Sequence, residues 1–285
     1  MAGSVRQVGQ LRAIVVSDTH LSPRAPEAGA NWDAVFGHVN RTRPDLVVHV
    51  GDLTLDGLND ARELHRARSL LDRLPVPWHA VPGNHDVGDN PVAGHTNDGA
   101  ITAERHESWL DTIGPDRWAV QRAGWTLIGL NAQLFGSGLA AEAAQWAWLD
   151  DQLESMPAGR PIVPVMHKPL SAPDPELAAA PPYRFIPDPA RQRLEGLLDR
   201  RAAPLVISGH VHQFRIIDTD ARRHVWAPTT WAVLPDHIQA TFGTKRCGIV
   251  SLTLAADGQT RASLVEPAGI TQVTLTHDIP DPYVR

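Results

Sequence analysis

Residue types that bind metal ions recur along this chain at the ends of short apolar segments. Five motifs carry the pattern: Asp18-x-His20, Gly51-Asp52, Gly83-Asn84-His85-Asp86, His167 and Gly209-His210-x-His212. The only cysteine, Cys247, lies outside these motifs, so the donors are imidazole, carboxylate and carboxamide groups without thiolate. Such donors favour Mn, Fe, Zn or Co over calcium, and they do not distinguish among these four metals.

The strength of the pattern comes from its repetition. A single Asp-x-His or His-x-His pair is more often an accident than two ligands of one metal. In an extended backbone both members of such a pair point to the same side, because side chains alternate with a period of two. Glycine before Asp52, Asn84 and His210 is expected to permit a tight turn that returns each side chain over the sheet edge. Because ligands of open α/β sheets bind beyond the carboxyl ends of strands, the five motifs predict one shared metal site.

The elements that must position these residues are short strands alternating with amphipathic helices, which is typical of an α/β fold. The apolar segments are nearly continuous, as expected of strands covered on both faces. A spacing of three to four residues between apolar positions predicts the helices. The predicted strands are Leu11–Ser17, Leu46–Val50, Trp78–Val81, Thr126–Asn131, Ile162–Met166 and Leu205–Ser208; the predicted helices are Asn31–Arg41, Asp60–Leu74 and Ala141–Ser155.

The pattern changes after Gly209 to shorter strands with alternating residues, which predict an antiparallel second sheet within residues 213–285. Those strands are Phe214–Asp218, His224–Ala227, Cys247–Leu254 and Arg261–Val265. Residues 169–189 contain seven prolines, which oppose helix and inner strand, so this segment is predicted to be a surface loop or lid. No repeat or linker divides the chain, so we expect a single domain over residues 1–285.

Composition excludes some partners. The chain has 285 residues and a formal net charge of -6, and no basic patch is evident, so neither nucleic acid nor an anionic membrane is expected to bind. A single cysteine excludes an internal disulfide and a cysteine-rich zinc cluster. No apolar segment approaches the roughly 20 residues that a membrane helix needs. We therefore expect a cytoplasmic protein without a membrane anchor.

The ordered motifs resemble those of the calcineurin-like metallophosphoesterases, over the span from Asp18 to His212. The resemblance implies a four-layer αββα sandwich with two facing mixed β-sheets and helices outside. It also implies two metal ions, each held by three residues, with a bridging carboxylate between them. The implied ligands are Asp18, His20 and His212 on one metal, Asn84, His167 and His210 on the other, and Asp52 on both.

His85 is the residue that the resemblance implies as general acid. It follows the implied ligand Asn84 and faces the same site without being a ligand itself. An acidic neighbour would orient its ring and favour its protonated form. Asp56, four residues after Asp52, is our first choice for that neighbour, and Asp86 is the alternative.

The resemblance implies hydrolysis of phosphoesters and leaves the substrate open, because different sites occur on shared folds. The Gly-Asp-Leu-Thr-x-Asp-Gly form is most similar to the bacterial class III cyclic-nucleotide and glycerophosphodiester phosphodiesterases. A small-molecule diester is therefore the first expectation, with a phosphomonoesterase, including a protein Ser/Thr phosphatase, as the alternative. A metal-binding scaffold without turnover is a third hypothesis, and a nuclease is disfavoured by the acidic balance. A homodimer is left open, with the strands after His212 and the segment Trp226–Trp231 as candidate surfaces.

Four further residues are candidates for lining the pocket. His95 and Asn97 follow the third motif, and Lys168 and Arg184 flank the proline-rich segment, where they could meet a substrate phosphate. His49 lies inside a predicted strand and is expected to be a buried imidazole with a hydrogen-bond partner.

Overall fold

The computed structural model describes residues 9–91, 99–171 and 184–275. Eleven strands and six helices lie in these ranges, together with a 3-10 turn at Ala132–Leu134. The strands are β1 Gln10–Val16, β2 Leu46–His49, β3 Trp78–Ala80, β4 Trp118–Arg122, β5 Trp125–Leu130, β6 Ile162–Met166, β7 Leu205–Ser208, β8 Arg215–Asp218, β9 Arg223–Trp226, β10 Ile249–Ala255 and β11 Thr260–Val265. The helices are α1 Pro26–Thr42, α2 Ala61–Leu71, α3 Asn84–Val87, α4 Ala103–Thr112, α5 Ala140–Ser155 and α6 Ala190–Asp199.

The strands form two mixed sheets. The first has the order β11-β10-β1-β2-β3, in which β1, β2 and β3 are parallel and β10 is antiparallel to β1. The second has the order β4-β5-β6-β7-β9-β8, with parallel strands β5, β6, β7 and β9 between antiparallel edges. Parallel neighbours bring the carboxyl ends of consecutive strands to the same edge of each sheet.

Three apolar layers hold the sandwich together. The central layer combines side chains of both sheets, such as Val15 and Val48 from the first and Leu127 and Val165 from the second. Helices α1, α2 and α4 pack on the outer face of the first sheet. Helices α5 and α6 pack on the outer face of the second. The predicted αββα architecture with two facing mixed sheets is confirmed.

The prediction that the strands after residue 213 form the second sheet is right for β8 and β9 and wrong for β10 and β11. β8 and β9 extend the second sheet beyond β7, whereas β10 and β11 join the free edge of β1 in the first. The second sheet also draws β4 to β7 from the chain before residue 209. Alternating residues reveal a strand and its buried face, but they do not reveal which strand edge it will pair with.

Helices α4 and α6 and strand β4 were not predicted from the sequence. For α4 a local signal was present, because Thr102 is a typical N-cap residue and accepts a hydrogen bond from the Arg105 N–H. Residues 172–183 of the predicted lid lie outside the described residues, so that prediction stays open, as does the single domain. Among the described helices, none is both long and apolar enough to cross a membrane.

Candidate metal centre

The seven predicted ligands lie just beyond the carboxyl ends of five strands, three in the first sheet and two in the second. Five of the side chains are buried, and Asn84 and His210 are partly exposed. Asp18 and His20 follow β1, Asp52 follows β2, Asn84 follows β3, His167 follows β6, and His210 and His212 follow β7. The fold therefore gathers motifs that are up to about two-thirds of the chain apart.

Asp18, His20 and His212, here named the Asp18 cluster, each offer a donor atom within 4.8 Å of the other two. The two ring nitrogens His20 Nε2 and His212 Nε2 are 3.2 Å apart. Asp18 Oδ2 accepts hydrogen bonds from Ser17 Oγ and the His210 N–H. Asp18 Oδ1 is buried without a hydrogen bond in the described chain and lies 3.4 Å from His212 Nε2. An unsatisfied buried carboxylate oxygen is costly, and a cation held by the three donors would satisfy it.

Asp52, His167 and His210, here named the His167 cluster, form a second such group within 4.8 Å. His167 Nε2 lies 3.2 Å from Asp52 Oδ2 and 3.2 Å from His210 Nδ1. Asn84 Oδ1 lies at the same 3.2 Å from His167 Nε2. Four donors from four strand ends therefore face one point, which suits a second cation.

Asp52 and His20 join the two clusters. Asp52 Oδ2 is 3.8 Å from His20 Nε2, and these two residues form a third group within 4.8 Å together with His85. The carboxylate of Asp52 thus lies between the two clusters, which is the position that a bridging ligand requires.

The rings of His167 and His212 are each held from behind by a backbone carbonyl. His167 Nδ1 donates to Val50 O at 2.8 Å, and His212 Nδ1 donates to Ala232 O at 2.7 Å. Because a carbonyl only accepts, the hydrogen sits on Nδ1 and the neutral ring presents a lone pair at Nε2. This is the arrangement that orients metal-binding histidines.

Charges within the centre shift its pKa values in opposite directions. Burial, followed by the neighbouring histidine charges, lowers the pKa of His20 and of His210 well below the ordinary value. Burial also lowers the pKa of His167, but the adjacent Asp52 carboxylate outweighs it and raises that pKa to about 9. Metal binding requires neutral imidazole, so His167 would have to lose a proton in order to hold a cation.

Left-handed backbone is concentrated at the donors. Seven non-glycine residues of the described chain have positive φ, and five of these are predicted ligands. They are Asp18, His20, Asp52, His210 and His212, with φ between 45° and 70°. Each such residue costs about 1–3 kcal/mol and is found mainly at functional sites. The expectation of extended backbone at Asp-x-His and His-x-His is therefore wrong, since the paired side chains converge through tight left-handed turns.

The glycines before the ligands have two different roles. Gly51 has φ +97°, and a Cβ there would lie 2.5 Å from His167 Nδ1. Gly83 and Gly209 do not have positive φ, but a Cβ would collide with the Asp52 carboxylate at Gly83 and with Ser17 Oγ at Gly209. At these two positions glycine is required by the close approach of another strand end, and the turn alone does not require it.

His85 lies at the edge of the two clusters. Its ring centroid is 4.7 Å from that of His20, and its backbone N–H donates to Asp52 Oδ1 at 2.9 Å. Its Nδ1 donates to Leu55 O at 2.8 Å. Since the carbonyl only accepts, Nδ1 keeps its hydrogen in both protonation states, and Nε2 is the atom that gains or loses a proton.

A backbone carbonyl therefore occupies the place where a carboxylate was expected. The Asp86 carboxylate accepts from the N–H groups of Leu53, Thr54 and Gly83 and from Thr54 Oγ1, which ties the second motif to the third. Burial, helped by the Asp52 charge, raises the pKa of Asp86 to about 6. The group that accepts from the His85 ring at Nδ1 is the Leu55 carbonyl.

Asp56, the first choice for this role, is directed elsewhere. Its Oδ2 lies 3.2 Å from Arg24 Nη2, and its Oδ1 accepts from Asn59 Nδ2 at 2.8 Å. A spacing of four residues after Asp52 does not determine which atoms of the loop turn inward, and in this loop the Leu55 carbonyl does so.

A family model described as calcineurin-like phosphoesterase matches residues 11–214, which include every motif above. This chain belongs to the calcineurin-like phosphoesterase family. The predicted resemblance is confirmed, and the chain is a metal-dependent hydrolase of phosphoesters.

Individual relatives of this phosphoesterase agree with that assignment. It is 29% identical over 275 residues to the 3',5'-cyclic adenosine monophosphate phosphodiesterase CpdA of Escherichia coli (strain K12), across 90% of this chain and 89% of the relative. It is 27% identical over 213 residues to a probable glycerophosphodiester phosphodiesterase GpdQ of Arcobacter nitrofigilis, across 70% and 71%. Its fold is similar to that of a dimetal phosphatase from Danio rerio, with a TM-score of 0.54 at 14% identity over 90% and 99% of the two chains.

Sequence reasoning missed the residues that hold the ligands of this phosphoesterase from behind. Thr229 Oγ1 donates to Asp18 O at 2.9 Å, and the Ala232 carbonyl binds His212. Asn31 of α1 anchors the same loop by donating to Thr230 O at 2.8 Å. No local signal marks these contacts, because the acceptor in all three is a backbone carbonyl, which every residue has.

The remaining candidates are partly resolved. Lys168 is buried and ion-paired with Asp89, so its ammonium group already has a partner. His49 is buried and bonded through Nε2 to Thr19 Oγ1 at 3.0 Å, as expected, and burial lowers its pKa to about 3. Arg184 is also buried.

Two other expectations concern segments rather than the centre itself. His95 and Asn97 lie outside the described residues. Trp226 and Trp231 are 1% and 2% exposed, so the prediction that this segment offers a dimer surface is wrong.

Proposed function

We propose that this phosphoesterase hydrolyses a small-molecule phosphodiester, using two metal ions held by the Asp18 and His167 clusters. The observation that carries the proposal is the adjacency of the two clusters, with Asp52 Oδ2 3.2 Å from His167 Nε2 and 3.8 Å from His20 Nε2. When bound, two such cations supply an acidified water and neutralise the phosphate oxygens.

In this proposal each cation has its own donors and shares one carboxylate. The donor chemistry, imidazole with carboxylate and one carboxamide, supports Mn, Fe, Zn or Co. The proposed ligands are Asp18, His20 and His212 for the first cation, Asn84, His167 and His210 for the second, and Asp52 for both.

His85 is the proposed general acid. Its Nδ1 is committed to the Leu55 carbonyl, so Nε2 carries the exchangeable proton. A leaving alkoxide needs a proton as its bond to phosphorus breaks, and a positioned imidazolium supplies it at a rate gain of about 10²–10⁴.

The names of the relatives support a diester as the substrate class. CpdA, which this chain matches along nearly its whole length, is named for a cyclic nucleotide, and GpdQ for glycerophosphodiesters. Both substrates are small diesters, whereas the net charge of -6 disfavours a nucleic-acid polymer. With such a substrate and a single cysteine, we also infer a cytoplasmic location; a homodimer stays open.

A substrate panel tests the proposal. Protein loaded with Mn is assayed on bis-p-nitrophenyl phosphate, p-nitrophenyl phosphate, cyclic AMP and a glycerophosphodiester, beside chelated protein. We expect metal-dependent turnover with the diesters preferred. A tenfold or greater preference for the monoester would assign a phosphomonoesterase, and no metal-dependent turnover on any substrate would favour a scaffold.

A further inference from the structure

The peptide group between Leu55 and Asp56 has both of its polar atoms committed to side chains. Its carbonyl accepts from His85 Nδ1 at 2.8 Å. Its N–H donates to Glu63 Oε2 at 2.7 Å. Because a peptide group is planar and rigid, the imidazole and the carboxylate lie at opposite ends of one unit.

Glu63 is a buried acid that the proposed chemistry does not otherwise use. It is 3% exposed, and its second oxygen accepts from Ser22 Oγ and from Arg24 Nη2 at 3.0 Å. A buried carboxylate is expensive unless it is paired and hydrogen-bonded, and these contacts satisfy it. These contacts do not by themselves explain why Glu63 binds the loop that orients His85, through the Asp56 N–H.

Helix capping does not explain this location. Glu63 is the third residue of α2, where a glutamate commonly bonds to the N–H of the N-cap residue, here Asp60. In this structure the Asp60 N–H instead donates to Asp56 O at 2.8 Å. Glu63 reaches past the cap to the Asp56 N–H, which belongs to the peptide group that faces His85.

We propose that Glu63 is a positioning residue for the general acid, acting on His85 through the Leu55–Asp56 peptide group. A carboxylate at the N–H end holds the plane of this group and polarises it, which strengthens the carbonyl as an acceptor for His85 Nδ1. The ring is thereby held in the orientation in which Nε2 would serve the leaving group. The inference rests on the proposed role of His85.

The contacts of Glu63 also tie this loop to the first motif. Ser22 lies two residues after His20, and the Leu21 N–H donates to Leu53 O at 2.8 Å. Movement of Glu63 would therefore shift the loop that carries the Leu55 carbonyl against the strand ends that carry the metal donors.

Substitutions at Glu63 test the inference with two diesters, one leaving as p-nitrophenolate and one as an alkoxide. The alkoxide needs the proton from His85, whereas p-nitrophenolate leaves with little help. Glu63→Ala removes the acceptor, and Glu63→Gln keeps an acceptor of similar size without the charge. We expect Glu63→Ala to lower kcat on the alkyl diester about 10–100-fold, a part of the full effect of a general acid. KM, metal content and kcat on the aryl diester should change by less than about threefold, with Glu63→Gln intermediate.

Two controls separate positioning from a general structural effect. Glu142→Ala removes a carboxylate that also accepts from loop backbone N–H groups, those of Gly136 and Gly138, in a loop without site residues. It should leave kcat on both diesters unchanged. In a His85→Ala background, Glu63→Ala should cause no further loss, because the two act as one unit.

Equal losses on both diesters, or additive losses in the double variant, would overturn the inference. If Glu63→Ala does not fold, Glu63→Gln decides by the same comparison, because it preserves volume and an acceptor. Absence of metal-dependent turnover in the unsubstituted protein would instead overturn the proposed function itself.

Discussion

Asp52 Oδ2 and His167 Nε2 lie 3.2 Å apart and are both buried. The pair joins the end of β2 in the first sheet to the end of β6 in the second. Without a metal the pair is held by its own charges, since Asp52 raises the pKa of His167 to about 9. In the proposed function, the same two side chains would bind one cation.

Replacing Asp52 by Asn should therefore remove metal and activity together. The substitution keeps the volume of the side chain and deletes the shared negative charge. Loss of a residue that only hydrogen-bonds to a metal ligand lowers metal affinity about 10–100-fold. Because Asp52 is itself a proposed ligand, we expect Asp52→Asn to lower metal affinity by more than that. Metal content by elemental analysis and turnover of bis-p-nitrophenyl phosphate measure the effect. Asp151→Asn, an exposed position of α5, is the matched control, and full metal content in Asp52→Asn would refute the bridging role.

Replacing His85 by Ala should separate chemistry from metal binding. If His85 donates the proton to the leaving group, kcat should drop by about 10²–10⁴-fold while both metals remain. Turnover of an alkyl diester and metal content are measured on the same preparation. His65→Ala, on the exposed side of α2, should behave as the unsubstituted protein. Undiminished activity of His85→Ala would remove it from the mechanism.

Gly83→Ala should damage the centre although the residue carries no side chain. A Cβ at this position collides with the Asp52 carboxylate, so either Asp52 or the third motif must move. We expect weaker metal binding and a loss of about 1–3 kcal/mol in the free energy of unfolding. Gly29→Ala in α1 has open space and should stabilise the helix by about 0.5–1 kcal/mol. Urea unfolding of both variants with and without metal makes the comparison, and an unperturbed Gly83→Ala would contradict the packing argument.

His49 should make the metal-free protein less stable as the pH falls. Burial lowers its folded pKa to about 3 from 6.5, so between these values the unfolded chain takes up a proton that the folded protein does not. Stability is then present above pH 6.5 and is lost progressively toward pH 3. Between pH 7 and pH 5 this amounts to about 2 kcal/mol. The free energy of unfolding in urea is measured at both pH values on chelated protein. Its change between pH 7 and pH 5 should be smaller by that amount in His49→Gln than in the unsubstituted protein. An equal change in the two proteins would show that burial does not lower the pKa of His49.

The sequence was most informative where the signal is local. The apolar segments of β1, β2, β3, β5, β6 and β7 could be predicted within one or two residues, because strands covered on both faces need continuous apolar side chains. The donor residues at the ends of these strands could also be recognised, because Asp, His and Asn stand out after a continuous apolar segment. The sheet that received β10 and β11 could not be predicted, because the choice depends on which strand edge is free after the rest has folded.

The groups that orient the imidazole rings of the site were equally hidden. Val50, Ala232 and Leu55 bind His167, His212 and His85 through backbone carbonyls, which carry no signature of residue type. An acidic partner for His85 was expected at Asp56 or Asp86, and the acid that the structure brings into reach is Glu63, acting across one peptide group.

Sequence alone thus determined the family and the α/β class and predicted the set of donor residues, because residue type and spacing are properties of the chain itself. Tertiary structure alone decided how the strands divide between the sheets, that the paired ligands adopt left-handed backbone, and which carbonyl faces which ring. Those outcomes depend on contacts between segments that include pairs more than two hundred residues apart, such as β1 with β10. No local pattern encodes the energies of such contacts.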